Sequence, residues 1–203
     1  FLRLATTRGF ESVTMRTLGS EVGMKAPSIY SSFPKGKEEI VTEALRWFTH
    51  SFAYDLLSGA ETATSAEEYW AALVRCHLSL QLRRPEPGLW DLLIAADKVA
   101  RFLDDEVRRD ADRWVQLHEG MYIAAAEEMG FELTGQTVQV ILTLLDGARR
   151  WGGSGESLDE LSLRTVGLTR SILESSGRGP LPIGVPSWHT AGPTDVDTVI
   201  RNS

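Results

Sequence analysis

Residues 14–48, TMRTLGSEVGMKAPSIYSSFPKGKEEIVTEALRWF, decide how this chain is read. Thr14 is placed to cap a helix, because its hydroxyl can accept from a free amide of the first turn. Met15, Leu18 and Val22 recur at i, i+3 and i+7 and so share one helix face. Gly23 follows and can take the left-handed conformation that ends a helix without strain. Met24 is then expected to tuck into the core at the turn. Lys25 and Ala26 open a second helix, with Pro27 in its first turn, where a missing amide costs little. Ile29, Tyr30 and Phe33 supply its apolar contacts, and Pro34 stops it. A long helix starts at Lys37. Two short helices joined by a tight Gly-containing turn form a helix-turn-helix, whose second helix is shaped to enter a DNA major groove.

The same residues carry a family likeness. MRTLGSEVGMKAPSIYSSFPKGKEEIVTEAL (15–45) resembles the N-terminal domain of the TetR family of bacterial repressors. It has the Thr-led helix, the Gly-Met turn, the Tyr-x-x-Phe end and the Lys before a Glu-Glu-Ile run. LRLATTRGFESVTM (2–15) matches the end of that family's first helix and its Gly-Phe connection, Gly9-Phe10. The likeness is confined to roughly the first 50 residues. Ser32 stands where the family often has His, and Gly19 replaces the usual Ile or Ala. The first family helix is entered part-way, so further residues are expected before Phe1.

The resemblance implies roles position by position. Thr14 and Arg16, at the first helix's start, would hold phosphate. Lys25 would reach a guanine edge or a phosphate, Ala26 a thymine methyl, and Ser28 and Ser31 several base edges. Tyr30 and Lys37 would hold backbone phosphate. The family's fold is all-α: an N-terminal helix-turn-helix DNA-binding domain followed by a larger C-terminal helical ligand-binding and dimerisation domain. On that plan residues 1–48 form the DNA reader, 49–176 the larger domain and 177–203 a Pro/Gly-rich tail.

Charge is distributed in keeping with such a division. The 203 residues carry a net charge of −7, which at first argues against nucleic acid. Residues 1–50, however, hold seven Lys/Arg against five Asp/Glu, whereas the remainder holds fourteen against twenty-three. The basic excess sits on the DNA-reading segment and the acidic excess beyond it. Cys76 is the only cysteine, so no intrachain disulfide can form. No run has the length of a membrane span and no signal peptide shows, so a cytoplasmic protein without a membrane partner is expected.

Helical periodicity continues beyond residue 48. The long helix from Lys37 reaches about Leu57, with Ile40, Ala44, Trp47, Phe48 and Phe52 on its buried face. Ser65-x-x-Glu68 is a capping box for a helix carrying Tyr69, Trp70, Leu73, Val74, His77 and Leu78. Arg84-Pro-Glu-Pro-Gly88 is a break. A helix follows with Trp90, Leu93, Ile94 and Phe102, then another started by Asp104 and Asp105, whose charge suits a helix N-terminus. Thr134 caps the next helix, Gly152-Gly-Ser-Gly155 breaks the chain, and a last helix spans about Leu158 to Ser175. About nine helices and no strand are expected. In the tail, Leu181, Ile183, Val185 and Trp188 read either as part of a disordered segment or as an arm docked along a groove.

Trp114, His118, Met121, Tyr122 and Ala125 share one helical stripe. Such a stripe is either core or the lining of an apolar chamber with a few polar groups, which is what a small-molecule site needs. Trp114, His118 and Tyr122, with Trp90 and His77 as weaker members, are the candidate effector site. By resemblance the last two helices form a dimer interface through Val138, Ile141, Leu142, Leu145, Leu161, Thr165, Leu168 and Ile172, and Trp151, at the end of the penultimate helix, reads as part of that interface rather than of the effector site.

Catalytic patterns are missing. The four histidines have no metal-ligand spacing, adjacent Cys76 and His77 diverge on a helix, and Gly152-Gly-Ser-Gly155 lacks a phosphate-loop lysine. The sequence therefore predicts a non-enzymatic transcription regulator with no cofactor and no metal. Its partners are a double-stranded, palindromic DNA operator, a small hydrophobic or aromatic effector, and a second copy as a homodimer. Release from the operator by the effector is the leading reading. An activator or corepressor-dependent regulator is the alternative, and a helical ligand-binding protein or enzyme without DNA binding is the reading from another class.

Overall fold

The computed structural model describes residues 1–177 except 102 and 154. Ten α-helices and one 3₁₀ turn make up the regular structure of the described residues, and no strand occurs among them. The helices are α1 (Leu2–Arg8), α2 (Met15–Val22), α3 (Ala26–Ser32), α4 (Lys37–Ala60), α5 (Ala66–Arg83), α6 (Glu86–Ala100), α7 (Asp105–Glu128), α8 (Gly135–Asp146), α9 (Ala148–Trp151) and α10 (Leu158–Ser176). The 3₁₀ turn, Phe10–Ser12, lies between α1 and α2. Phe102 and the apolar tail positions Leu181, Ile183, Val185 and Trp188 lie outside the described residues.

Local chemistry sets these boundaries. The Thr14 hydroxyl accepts from the Thr17 amide at 3.1 Å, and Thr17 Oγ1 accepts from the Thr14 amide at 2.8 Å. Ser157 and Glu160 make the same reciprocal box at the start of α10, and Thr134 accepts from the Thr137 amide at α8. Each such cap is worth about 1 kcal/mol. The periodic stretch after Thr134 does not run unbroken to Trp151: it stops at Asp146, and Gly147 separates the single turn of α9.

The chain divides into two compact units, and not at a single point in sequence. One unit holds residues 1–49 together with 84–112; the other holds 50–83 and everything from Arg113 onward. Residues 84–112, which the linear reading gave to the larger domain, join the first unit for physical reasons. Helix α6 packs on α1. Trp90 stacks on Phe48 with ring centroids 5.7 Å apart. Arg46 of α4 donates to Asp110 at 3.0 Å and to Glu106 at 2.6 Å, both on α7. Asp97, almost wholly buried, accepts from the Leu103 amide at 2.7 Å and from Arg108 Nε at 2.6 Å, fixing the turn between α6 and α7.

In the second unit α5 is the central helix. Its Tyr69, Trp70, Leu73, Val74 and Leu78 are buried, as are Val138, Ile141, Leu142 and Leu145 of α8 and Leu161 and Leu173 of α10. Trp70 Nε1 donates to Thr169 Oγ1 at 3.1 Å, so its one polar atom is satisfied inside the core. Thr165 turns its hydroxyl back to the Leu161 carbonyl at 2.6 Å, which allows a polar residue on a buried face.

Three apolar residues stand outside the core that the pattern gave them. Val22 is 62% and Met24 44% exposed. Helix α2 meets the following turn at Gly19, so its last residue overhangs the contact. Trp47 is 59% exposed, because the buried positions of α4 run Val41, Leu45, Phe48, Phe52 and Leu56, about 100° away.

Helices α4 and α5 approach closely where Cys76 lies over Gly59. A Cβ added to Gly59 would stand 2.1 Å from the Cys76 Sγ. Gly59→Ala is therefore expected to destabilise the protein by roughly 1–3 kcal/mol through overpacking, despite alanine's better helix propensity. Cys76→Ala should restore most of the loss, because only the sulfur is in the way. Denaturant unfolding of the two single variants and the double variant measures that coupling.

Candidate nucleic-acid interface and effector cluster

The candidate DNA-reading surface is built on two close approaches. Gly23 has φ 68°, the left-handed conformation that lets the chain leave α2 at once. Gly19 packs so tightly on this turn that a Cβ there would lie 2.5 Å from the Met24 carbonyl oxygen and 3.4 Å from Ile29 Cδ1. With Met15, Leu18 and Ile29 buried, α3 is held by one anchor residue. Its other side chains face outward: Ser28, Tyr30, Ser31 and Ser32 are exposed, with Lys25 exposed at the N-cap and Ala26 half-buried.

Most sequence-nominated DNA contacts lie on this surface. Arg16 is exposed on α2. Thr14 is exposed too, although its hydroxyl is engaged in the capping box. Ser31 Oγ donates to the Pro27 carbonyl at 3.1 Å and keeps its acceptor capacity. Lys37 differs from the others. Its ammonium donates to the Phe10 carbonyl at 3.0 Å and lies 4.2 Å from the centroid of the Phe10 ring. It ties α4 to the Gly9-Phe10 connection, so a phosphate would have to draw it from these contacts.

The second unit gathers His77, Trp114, His118 and Tyr122, as the stripe implied, and adds Phe52 and Asp146. Trp114 and His118 stack nearly parallel at 5.2 Å, and Phe52 meets both edge-on. His77 lies between Tyr122, whose hydroxyl is 3.0 Å from Nδ1, and Asp146, whose carboxylate is 2.9 Å from Nε2. A carboxylate only accepts, so Nε2 carries the hydrogen, and in the neutral ring Nδ1 accepts from the Tyr122 hydroxyl. Gln81 donates to the same Asp146 oxygen at 2.8 Å. Trp90 does not join this group, since it stacks on Phe48 in the first unit.

Electrostatics sharpen the picture. Burial, and secondarily the neighbouring His77, push the His118 imidazole down to about 3, against the pull of Asp146. His118 is thus neutral at physiological pH, and its Nε2 is sealed from solvent without a hydrogen-bond partner. Burial, then Asp146, pushes the Tyr122 phenol well above its usual range. Desolvation raises the Asp146 carboxyl, but the hydrogen bond and charge of His77, with His118 and Gln81, more than offset it and hold it below the usual value. Asp146 was not singled out in the sequence, although one signal was available: an acid in the last turn of a helix opposes the helix dipole and needs another partner.

Six of the eight nominated interface positions are not available to a partner. Val138, Ile141, Leu142, Leu145, Leu161 and Thr165 are buried in the chain's own core. Each helix has one apolar stripe, and a single subunit already covers it. Leu168 is exposed and Ile172 half-buried, and Val140 and Leu163, not nominated from the sequence, are exposed as well. Trp151 Nε1 donates to the Leu144 carbonyl at 2.7 Å, and the Arg164 guanidinium lies over its ring.

A short helix held by one buried residue after a tight turn, with only helices as regular structure among the other described residues, defines a helix-turn-helix fold with a helical second unit. Residues 2–44 match the profile described as "Bacterial regulatory proteins, tetR family", so this N-terminal segment is similar to that family's DNA-binding domain. Several solved structures share the fold. Superantigen PfiT superposes with a TM-score of 0.67 at 22% identity, covering 82% of this chain and 90% of that one. The TetR family transcriptional regulator PfmR from Thermus thermophilus gives 0.61 at 18% identity, covering 88% and 94%. A bacterial regulatory protein of the tetR family from Rhodococcus gives 0.67 at 15% identity, also covering 88% and 94%. No curated protein matches significantly. No group of metal-ligating side chains occurs among the described residues, and no described helix is long and apolar enough to cross a membrane.

The depressed His118 predicts a pH response of known sign. The unfolded imidazole titrates near 6.5 and the folded one near 3, so the stability is fully present above about pH 6.5 and is lost as pH falls toward 3. Between about pH 7 and pH 5 the second unit should lose roughly 1–2 kcal/mol. His118→Phe, which keeps the stack on Trp114, should flatten that slope in thermal melts.

Proposed function

We propose that this chain is a homodimeric repressor that binds a palindromic operator and is released by a small hydrophobic or aromatic effector. The observation that carries the reading is the outward face of α3, held by Ile29 alone, in a chain whose first residues match the TetR family profile. Lys25, Ser28, Tyr30 and Ser31 are the proposed contacts of α3 with bases and backbone, with Ala26 against a thymine methyl. Thr14 and Arg16 at the start of α2 hold phosphate. Lys37 is assigned a second role as the tie between α4 and Phe10.

Two copies are needed because one short helix reads too few bases. A dimer places two recognition helices about 34–36 Å apart, in successive major grooves. Val140 on α8 and Leu163 and Leu168 on α10 are the proposed interface; Leu163 is 78% exposed, and apolar groups of this kind are commonly covered by a partner. The effector is assigned to the cluster of Trp114, His118, Tyr122 and His77. The unpartnered Nε2 of His118 supports this, since a buried polar atom without a partner is stabilised by a ligand that supplies one. Release requires the effector to favour the non-binding state, and the size of the response is set by that difference in affinity. Helix α4, whose residues contribute to both units, is the proposed carrier of the change.

Selection of bound fragments from a random duplex pool should return a palindrome. Lys25→Ala with Tyr30→Ala should weaken binding to that palindrome at least about tenfold while leaving helicity unchanged. Recovery of no preferred sequence by the wild-type chain would remove the proposal. In sedimentation, Val140→Glu with Leu163→Glu is expected to turn a dimer into a folded monomer; a dimer that persists would place the interface elsewhere.

A further inference from the structure

The first unit contains a cavity of about 370 Å³ lined by Phe10, Glu11, Lys37, Glu38, Val41, Thr42, Leu103 and Asp104. Its volume lies in the range of small-molecule sites. None of its lining residues belongs to the aromatic cluster assigned to the effector. Val41 and Leu103 are buried and, with the Phe10 ring, give it an apolar wall. Three carboxylates, Glu11, Glu38 and Asp104, face one cation, Lys37, so the lining carries a net charge of −2. None of the three carboxylates is paired with a cation among the described residues. The Phe10 ring already holds a positive charge: the Lys37 ammonium sits 4.2 Å from its centroid.

We infer that this cavity binds a small organic cation carrying an apolar group. Carboxylates without counter-charges beside an apolar wall select against anions and against neutral polar solutes. The ammonium of the ligand would take the negative rim, its apolar part the Val41–Leu103 wall, and it would compete with Lys37 for the Phe10 ring. A bare metal ion fits less well, because Phe10, Val41 and Leu103 offer it no side-chain oxygen.

Phenethylammonium is a suitable probe, with phenylacetate as a control of similar size and opposite charge. Calorimetry on the full chain at low salt should show saturable binding of phenethylammonium and none of phenylacetate. Glu38→Gln with Asp104→Asn should weaken binding roughly tenfold, since each exposed charge contributes up to about fivefold. Both side chains are exposed, and circular dichroism checks that the variant is folded. Saturable binding unaltered by the double substitution would place the cation elsewhere and overturn the inference. So would the absence of saturable heat up to about 10 mM, the weak limit of useful affinity. The readout involves no DNA, so it stands or falls independently of operator binding.

Discussion

The contact between Gly19 and the turn that follows α2 is the constraint on which the N-terminal unit depends. Gly19 has no Cβ, and the Met24 carbonyl occupies the space one would need. Gly23 supplies the left-handed residue that reverses the chain. Together they seat α3 on α2 with a single buried anchor, Ile29. A helix with one anchor has little core of its own, and the gain is that nearly all its side chains are free to meet another surface. What holds α3 is its packing on α2 through Ile29, while Arg46 separately ties α4 to α7 and Arg108 to Asp97 ties α7 to α6.

The second unit answers a different constraint. Its core contains histidine, tyrosine and glutamine where leucine would fill the space without desolvating polar atoms, and the half-exposed carboxylate of Asp146 reaches them from its edge. The His77 ring is wholly buried, yet both of its nitrogens have partners. His118 stacks on Trp114 but leaves one nitrogen unanswered. A satisfied network gives a core one arrangement, and a nearly satisfied one leaves a single hydrogen bond unmade. That contrast within one cluster separates His77, whose nitrogens are both engaged, from His118, whose Nε2 could still accept a partner.

Much of the architecture was legible in the residues. Thr14, Thr134 and the Ser157–Glu160 pair announce helix starts through side-chain chemistry that acts over three residues, and the helices begin there. The stripe of Trp114, His118 and Tyr122 was legible because helical spacing puts these rings on one face. What escaped was set by packing between segments distant in sequence. Periodicity marked Val138 and Leu161 as apolar but did not say whether a second subunit or the chain's own α5 covers them. It placed Val22 on the buried face of α2 without showing that the contact ends at Gly19. Residues 84–112 joined the first unit through Arg46 on Asp110 and Glu106 and through Trp90 on Phe48, contacts with no common spacing. Lys37 was nominated for phosphate, and nothing local foretold its further contact, a hydrogen bond to the Phe10 carbonyl twenty-seven residues earlier.

The proposed reading of the molecule rests on the exposed face of α3 meeting DNA. Photocrosslinking tests it most directly: a benzophenone amino acid placed at Tyr30, with a second protein carrying it at Trp47, each mixed with the selected duplex and irradiated. Crosslinks are expected from position 30 to bases in two clusters about one helical turn apart, and none from position 47. Crosslinks from position 47 with none from position 30 would contradict it, because the surface that meets DNA would then not be the recognition helix.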